Sequence, residues 1–249
     1  VTDLLVRALG WRATMLHGDP CVFDRWMFVR RHLRAGPART LDAGAGNGGF
    51  VLMAASMGNE AIGLSFGTDE LTRARRRAAL VGLDHVAFRD GDLRRLDEFS
   101  DELGSFDQIL CLEVIEHVNE DQQLIERLAR LLRPGGHLLL STPSVHHRAM
   151  LGDSVSVTED GGHVRWGYDP ERITAMLQSA GLTVVAQGQI SGYVSQRLTN
   201  LMRRGGLIHP ALGWAVTVPL RVLQILDRPI TRFLHCPYLS LTAVARRAV

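Results

Sequence analysis

The chain has 249 residues, 46% of them hydrophobic and 22% charged, with a formal net charge of +2. That length carries one large domain with a substantial core, and the composition is globular rather than disordered. The charge is too small to argue for a nucleic-acid face, and no uninterrupted apolar run reaches the roughly 20 residues a bilayer span needs.

The chain opens with Val1-Thr2-Asp3-Leu4. A charge interrupts this segment too early for a secretory signal, so a cytoplasmic setting is expected. Two helices come first. Leu4, Leu5, Ala8 and Leu9 repeat at helical spacing, as do Phe23, Trp26 and Met27 after the turn Gly18-Asp19-Pro20. Strands and helices then alternate. Strands read at 40–43, 61–66, 86–89, 108–112 and 138–141, and helices at 49–57, 69–81, 121–132 and 171–180. Such alternation predicts a parallel sheet with helices on both faces.

Several boundaries carry chemical marks. Thr68 is placed to cap the second of these helices, with Asp69 and Arg73 as a supporting pair. Arg133-Pro134-Gly135-Gly136 ends a helix and turns into a strand. Asp169-Pro170-Glu171 supplies a cap, a first-turn proline and an acid, and Gly181 supplies the stop. Two further strands read at 182–190 and 238–246. Between them lies an apolar and basic helical stretch broken by Pro210, Pro219 and Pro229. The clusters Arg30-Arg31-Arg34 and Arg73-Arg75-Arg76-Arg77 read as solvated helix faces. Cys21, Cys111 and Cys236 are far apart and odd in number, which predicts neither a disulfide framework nor a zinc site. Cys111 reads as a buried packing residue.

The most informative stretch is Leu41-Asp42-Ala43-Gly44-Ala45-Gly46-Asn47-Gly48-Gly49-Phe50. A short apolar strand ends on an acid, and a glycine loop then opens into a helix whose first N–H groups are unpaired. Gly44, Gly46 and Gly49 match the dinucleotide fingerprint, but that fingerprint wants an acid at the end of the second strand. Here that strand ends on Ser65, and the acid, Asp42, precedes the glycines, where it would repel a pyrophosphate. The local electrostatics favour a ligand with positive charge and donor groups over NAD.

From about 40 to 181 the chain resembles the class I S-adenosylmethionine-dependent methyltransferases, through four segments in order. They are 41–48, an acid followed by G-x-G-x-G; Phe88-Arg89-Asp90-Gly91-Asp92-Leu93; 106–118, containing Glu113-Val114-Ile115-Glu116-His117; and 131–140, through Arg133-Pro134-Gly135-Gly136. The resemblance implies an α/β fold: a doubly wound, Rossmann-like, mostly parallel seven-stranded sheet with helices on both faces. A plain member of that family joins its last two strands by a tight hairpin, and this chain departs from it with a helical insertion of roughly 45 residues before the last strand. The expected organisation is N-terminal helices over the active site at 1–36, a donor-binding core at 37–190, the insertion at 191–236 and the last strand within 237–249.

The resemblance implies S-adenosylmethionine as cofactor. Asp42, Ala43, Gly44, Gly46 and Asn47 would line its methionine and ribose end. Asp92 would accept from the adenine amino group, the Leu93 N–H would meet the ring, Phe66 would pack on its face, and Glu113 would lie near the sulfonium. Ser65 departs from the family, most of which has Asp or Glu there accepting two ribose hydroxyls. That serine reads either as a pointer to lipid substrates or as drift with weaker donor affinity.

Methyl transfer needs nucleophile and methyl aligned and water excluded; a hydroxyl nucleophile also gains from a base, most often His. His117, His146, His147 and His163 all follow strand ends or lie in nearby loops and are the candidate bases. No metal site is expected, because no carboxylate pattern accompanies these histidines. Trp166 and Tyr168 suit either a pocket wall or core packing. The insertion reads as a lid over a hydrophobic acceptor, a basic amphipathic membrane surface, or a homodimer interface. The expected activity is methyl transfer to a small-molecule or lipid-like acceptor at a hydroxyl oxygen, with no nucleic acid involved. N- or C-methylation, an NAD-dependent oxidoreductase and a non-catalytic relative of the fold are the alternatives.

Overall fold

A computed structural model describes residues 3–83, 85–159 and 161–249. Val1 and Thr2, at the head of the segment read as lacking a signal, lie outside the described residues. Three helices come first: α1 (Asp3–Leu9), α2 (Arg12–His17) and α3 (Pro20–His32). The apolar spacing predicts only the first and third of these; α2 is an addition of the structure. Asp19 caps α3 by accepting from the Cys21 N–H, and Pro20 fills the first turn, where a missing N–H costs nothing.

The core then runs β1 (Arg39–Ala43), α4 (Gly49–Ser56), β2 (Glu60–Ser65), α5 (Thr68–Val81), β3 (Val86–Asp90), α6 (Ser100–Leu103), β4 (Phe106–Leu112), α7 (Asp121–Leu131), β5 (Leu132–Pro143), α8 (Pro170–Ser179) and β6 (Leu182–Ile190). The insertion holds α9 (Tyr193–Ile208), α10 (Pro210–Leu220), a 3-10 turn over Arg221–Leu226 and α11 (Asp227–Phe233), and β7 (Ser240–Arg247) closes the chain.

One seven-stranded sheet orders these strands β3-β2-β1-β4-β5-β7-β6, with β7 antiparallel to both neighbours. The predicted fold class is therefore the observed one. Alternate residues of each inner strand feed opposite faces, as period-two side chains must. Leu41, Ile109, Cys111, Leu138 and Leu140 pack with Ile125, Leu128, Ile173 and Leu177 of α7 and α8. Leu110, Leu112 and Leu139 pack with Phe28, Leu52, Leu71 and Ala74 of α3, α4 and α5. The order reverses between β1 and β4, and the crevice outside that reversal is where such sheets bind ligands.

Four local readings are corrected. Gly67, not Thr68, is the residue before α5, with no side-chain cap, because Thr68 already has helical geometry. Asp169 sits at the cap position of α8 but its side chain accepts no backbone N–H. The segment Arg133-Pro134-Gly135-Gly136 lies within β5, which begins directly after α7. Phe66 lies outside β2 and is 73% exposed.

The insertion is pinned to the N-terminal helices rather than free. Thr199 donates to Asp19 at 2.8 Å, and the Gln224 amide donates to the Pro20 carbonyl at 3.0 Å. Asp227 closes the insertion on itself by accepting from the N–H groups of Gly192 and Val194, both at 2.7 Å, at the start of α9.

Candidate functional site

Asp42 is the penultimate residue of β1, between Gly63 of β2 and Leu110 of β4. It is only 3% exposed, and its Oδ2 has no hydrogen-bond partner among the described residues. Burial pushes its pKa up to about 7. A buried, unpaired carboxylate is costly, and its persistence points to a missing cationic or donor partner.

The loop that follows has the conformation its glycines allow. Gly44, Gly46 and Gly48 have φ of 91°, 47° and 79°, and the Gly44 and Ala45 N–H groups bond the Leu64 carbonyl at 2.9 and 2.8 Å. A Cβ on Gly44 would lie 2.4 Å from Val114 Cγ2, so no other residue fits there without rearrangement.

Two cavities share this loop. One, of about 550 Å³, is lined by Asp42, Gly44, Gly46, Asn47, Glu70 and Glu113, among others. The second, of about 520 Å³, is lined by Gly44, Ser65, Phe66, Asp92, Leu93, Glu113 and His117, among others. Gly44 and Glu113 belong to both, so the cavities are two lobes of one crevice at the strand ends.

Glu113 follows β4 with φ of 54°, a strained conformation for a non-glycine residue. Ser141 Oγ donates to its Oε1 at 2.8 Å, Ser240 Oγ to its Oε2 at 3.3 Å, and Arg25 of α3 lies 3.5 Å from Oε2. Burial works against the Arg25 charge, but the carboxylates of Glu113 and Asp19 outweigh it and raise its pKa.

Ser65 is not alone at the end of β2. Its hydroxyl donates to Glu70 Oε2 at 3.2 Å, so a carboxylate from the first turn of α5 reaches the strand end that lacks one. Sequence reading missed Glu70. The signal that could have found it was an acid five residues past Ser65, in the turn that brings a helix back over its strand. Arg73 and Arg77, read as a solvated face, also line the Asp42 lobe, and Arg77 donates to the Asn47 carbonyl at 3.1 Å. Asp92 lines the second lobe but is bound by Arg94, whose Nε lies 2.9 Å from both its oxygens. That bonding holds the Asp92 carboxyl below its usual range.

The four candidate histidines separate. His117 lines the second lobe; its Nδ1 lies 3.0 Å from the Gly162 carbonyl, which leaves Nε2 as the acceptor. His163 meets it edge to face, ring centroids 4.7 Å apart, and burial followed by the neighbouring His117 lowers its pKa. His147 is buried, stacked 4.3 Å over Trp166, with Nδ1 2.6 Å from the Ser144 carbonyl. His146 is exposed, 3.3 Å from Asp169. None of His146, His147 and His163 is among the residues that line either lobe. Tyr168 is core, its hydroxyl donating to Asp121 at 2.9 Å. Glu116 is fully buried beneath His117; burial, then the Glu113 charge, raises its pKa. Among the described residues, Glu116, His117 and His163 also bring one possible metal ligand each within 4.8 Å of one another.

Comparisons agree with this geometry. Residues 41–140 match the family model described as a methyltransferase domain. Over 165 residues the chain is 30% identical to the ubiquinone biosynthesis O-methyltransferase of Xanthomonas axonopodis pv. citri (strain 306), covering 64% of this chain and 68% of that protein. The crystal structure of an S-adenosylmethionine dependent methyltransferase from Mesorhizobium loti superposes with a TM-score of 0.60 at 20% identity, covering 93% of this chain and 100% of that one. Coclaurine N-methyltransferase, solved with N-methylheliamine and SAH, gives 0.58 at 12% identity over 89% of this chain and 71% of that one. At these identities the two structures share the fold, which by itself does not choose between oxygen and nitrogen as acceptor.

Proposed function

The chain belongs to the class I S-adenosylmethionine-dependent methyltransferases, and on that premise we propose that it methylates a hydroxyl oxygen of a small, apolar-bodied acceptor, with His117 as the base. The observation that carries donor binding is Asp42 Oδ2, buried without a partner beside a glycine loop. A ligand ammonium or hydroxyl satisfies that oxygen, and the glycine backbone leaves room for the ligand against the loop. When bound, S-adenosylmethionine supplies a methyl group on a positively charged sulfur, already activated for displacement.

This chain's residues do the rest. Asp42 and the Gly44–Gly46 backbone hold the amino-acid end, and Arg73 and Arg77, in the same lobe, suit its carboxylate. Ser65 and Glu70 together accept the ribose hydroxyls. Leu93 and Phe66 bracket the adenine, and its amino group competes with Arg94 for Asp92. Glu113 lines both lobes where they meet and would lie near the sulfonium. His117 Nε2 takes the acceptor proton, and burial together with that neighbouring ring disfavours a charge on His163.

Two observations support oxygen as the acceptor atom: an imidazole lining the crevice whose Nδ1 is taken by the Gly162 carbonyl while Nε2 lies 4.0 Å from Glu116 Oε1, and the named activity of the relative 30% identical to this chain. Cys21, Cys111 and Cys236 are free, which suits a cytoplasmic setting; among the described residues no helix is long and apolar enough to cross a membrane. The insertion is pinned to the start of α3, the helix that brings Arg25 to Glu113.

The test has two stages. Calorimetry with S-adenosylhomocysteine must show binding that Asp42→Ala removes. Incubation with labelled donor and phenol, sugar, amine and lipid acceptors, read by mass spectrometry, must then give an O-methyl product whose kcat falls about 100-fold or more in His117→Ala. N-methylation alone, or full activity in that variant, refutes the proposal. The Glu116, His117 and His163 group supports a second reading of the same corner, in which a divalent cation prepares the hydroxyl. Activity lost on chelation and restored by a divalent ion selects that reading; activity indifferent to chelation selects the imidazole alone.

A further inference from the structure

More than half of the exposed large apolar side chains among the described residues fall between Leu201 and Leu234. Leu207 and Ile208 end α9 at 78% and 79% exposure, and Ile225 and Phe233 stand out at 79% and 83% farther along. Between Arg204 and Arg221 the chain carries no Arg, Lys, Asp or Glu. A monomer in water gains nothing from this surface.

The charges around it have one sign. Residues 191–239 contain six arginines and one acid, Asp227, and that acid is buried capping α9. Arg204, Arg228 and Arg232 are exposed and form no ion pair among the described residues. Arg228 and Arg232 line a further cavity of about 550 Å³ with Gln187, Gln189 and Tyr238, a set of hydrogen-bond donors with no carboxylate among them. Apolar side chains next to unpaired arginines match a surface that is apolar inside and anionic at its rim.

We propose that the face formed by the end of α9, α10, the Arg221–Leu226 turn and α11 docks on an anionic lipid bilayer. The apolar side chains enter the boundary between head groups and acyl chains, and Arg204, Arg228 and Arg232 meet lipid phosphates. The face lies on the membrane rather than through it, since no described helix is long and apolar enough to cross. This surface is separate from the crevice around Asp42 and does not depend on which acceptor the enzyme methylates.

The experiment is vesicle flotation of the full chain, with light scattering in parallel. Phosphatidylcholine vesicles containing phosphatidylglycerol carry the protein to the top of the gradient, pure phosphatidylcholine vesicles carry far less, and salt weakens the binding. Each arginine near an anionic surface is worth about a fivefold gain in partitioning, so the triple variant Arg204→Gln, Arg228→Gln, Arg232→Gln loses about two orders of magnitude. Ile208→Ser with Phe233→Ser also abolishes flotation, whereas Val157→Ser, which removes an exposed apolar side chain outside the face, leaves it unchanged. Circular dichroism confirms that each variant is folded, and the serine pair tests the face independently of the arginines. No flotation with anionic vesicles overturns the proposal, and so does a stable dimer that Ile208→Ser with Phe233→Ser dissociates.

Discussion

Asp42 ties ligand binding to stability through one proton. In the free protein, burial lifts its pKa from the ordinary 3.8 to about 7. The sign follows from linkage: an acid whose folded pKa is raised gives its full contribution below the unfolded pKa and loses it as pH rises through the folded one. Between 3.8 and about 7 the difference amounts to about 4 kcal/mol, borne by the empty protein above neutral pH. Asp42→Asn removes the charge; allowing about 2 kcal/mol for an amide left short of partners, it should stabilise the free protein at pH 8 by about 2 kcal/mol. In a chain of this length that raises Tm by about 5 °C. At pH 5 the wild type is already protonated and the gain disappears. Donor binding runs the other way. The carboxylate must release its proton to accept from a cationic group, so calorimetry with S-adenosylhomocysteine should show Kd rising about tenfold per pH unit below 7 in the wild type. In the variant it should be weak and pH-independent. A flat wild-type profile from pH 5.5 to 8, or wild-type affinity in the variant at pH 8, refutes the reasoning.

Three further outcomes are expected. Glu70→Gln should weaken S-adenosylhomocysteine about tenfold through loss of a charged acceptor; Ser65→Asp alone should weaken it as well, by crowding two carboxylates, whereas Ser65→Asp with Glu70→Ala should restore it. Gly44→Ala should abolish binding and lower the thermal midpoint, because its Cβ meets Val114 Cγ2 at 2.4 Å from a backbone at φ 91°, and a second change, Val114→Ala, should recover part of the midpoint. His147→Ala should cost about 1–3 kcal/mol in denaturant melts, through the lost Ser144 hydrogen bond and Trp166 stacking, with kcat held within a few-fold; a 100-fold fall in kcat with the fold intact would place this histidine in the chemistry.

The glycine loop and the buried acid beside it were legible in the sequence because their constraints are local. Glycines at positive φ between an apolar strand and a helix leave few alternatives, and Asp42 stands directly before them at the end of β1. The histidines were illegible because what separates them is not local. His146 and His147 follow a strand end as closely as His117 does, and only the path of the chain beyond Pro143 stacks His147 on Trp166 and leaves His146 in solvent. Arg73 is exposed as the solvated-face reading expects, but it and the half-buried Arg77 also wall the Asp42 lobe, and a polar cavity wall and a solvated helix face have the same residue pattern. Ser65 reads as a missing acid because the carboxylate that reaches its strand end, Glu70, belongs to another element, and a strand-end search does not inspect the helix that returns over it.

Glu113 shows how these parts are coupled. It holds a strained backbone at the point both lobes share, and that conformation persists only while its neighbours determine it. Those neighbours come from three directions: Ser141 in β5, Arg25 in α3 and Ser240 at the start of β7. Ser240 is the first residue of the strand that follows the insertion, and Arg25 belongs to the helix against which the insertion packs. Any shift of the insertion therefore reaches the Glu113 carboxylate through both of its Oε2 contacts, while Ser141 holds Oε1 to the sheet. A chain that docked its insertion on a surface would thus alter the crevice without moving the glycine loop, since that loop bonds to β2 through Leu64 and not to the insertion. Donor affinity and turnover should for that reason both respond to whatever the insertion meets, through Arg25 and Glu113 rather than through the glycine loop.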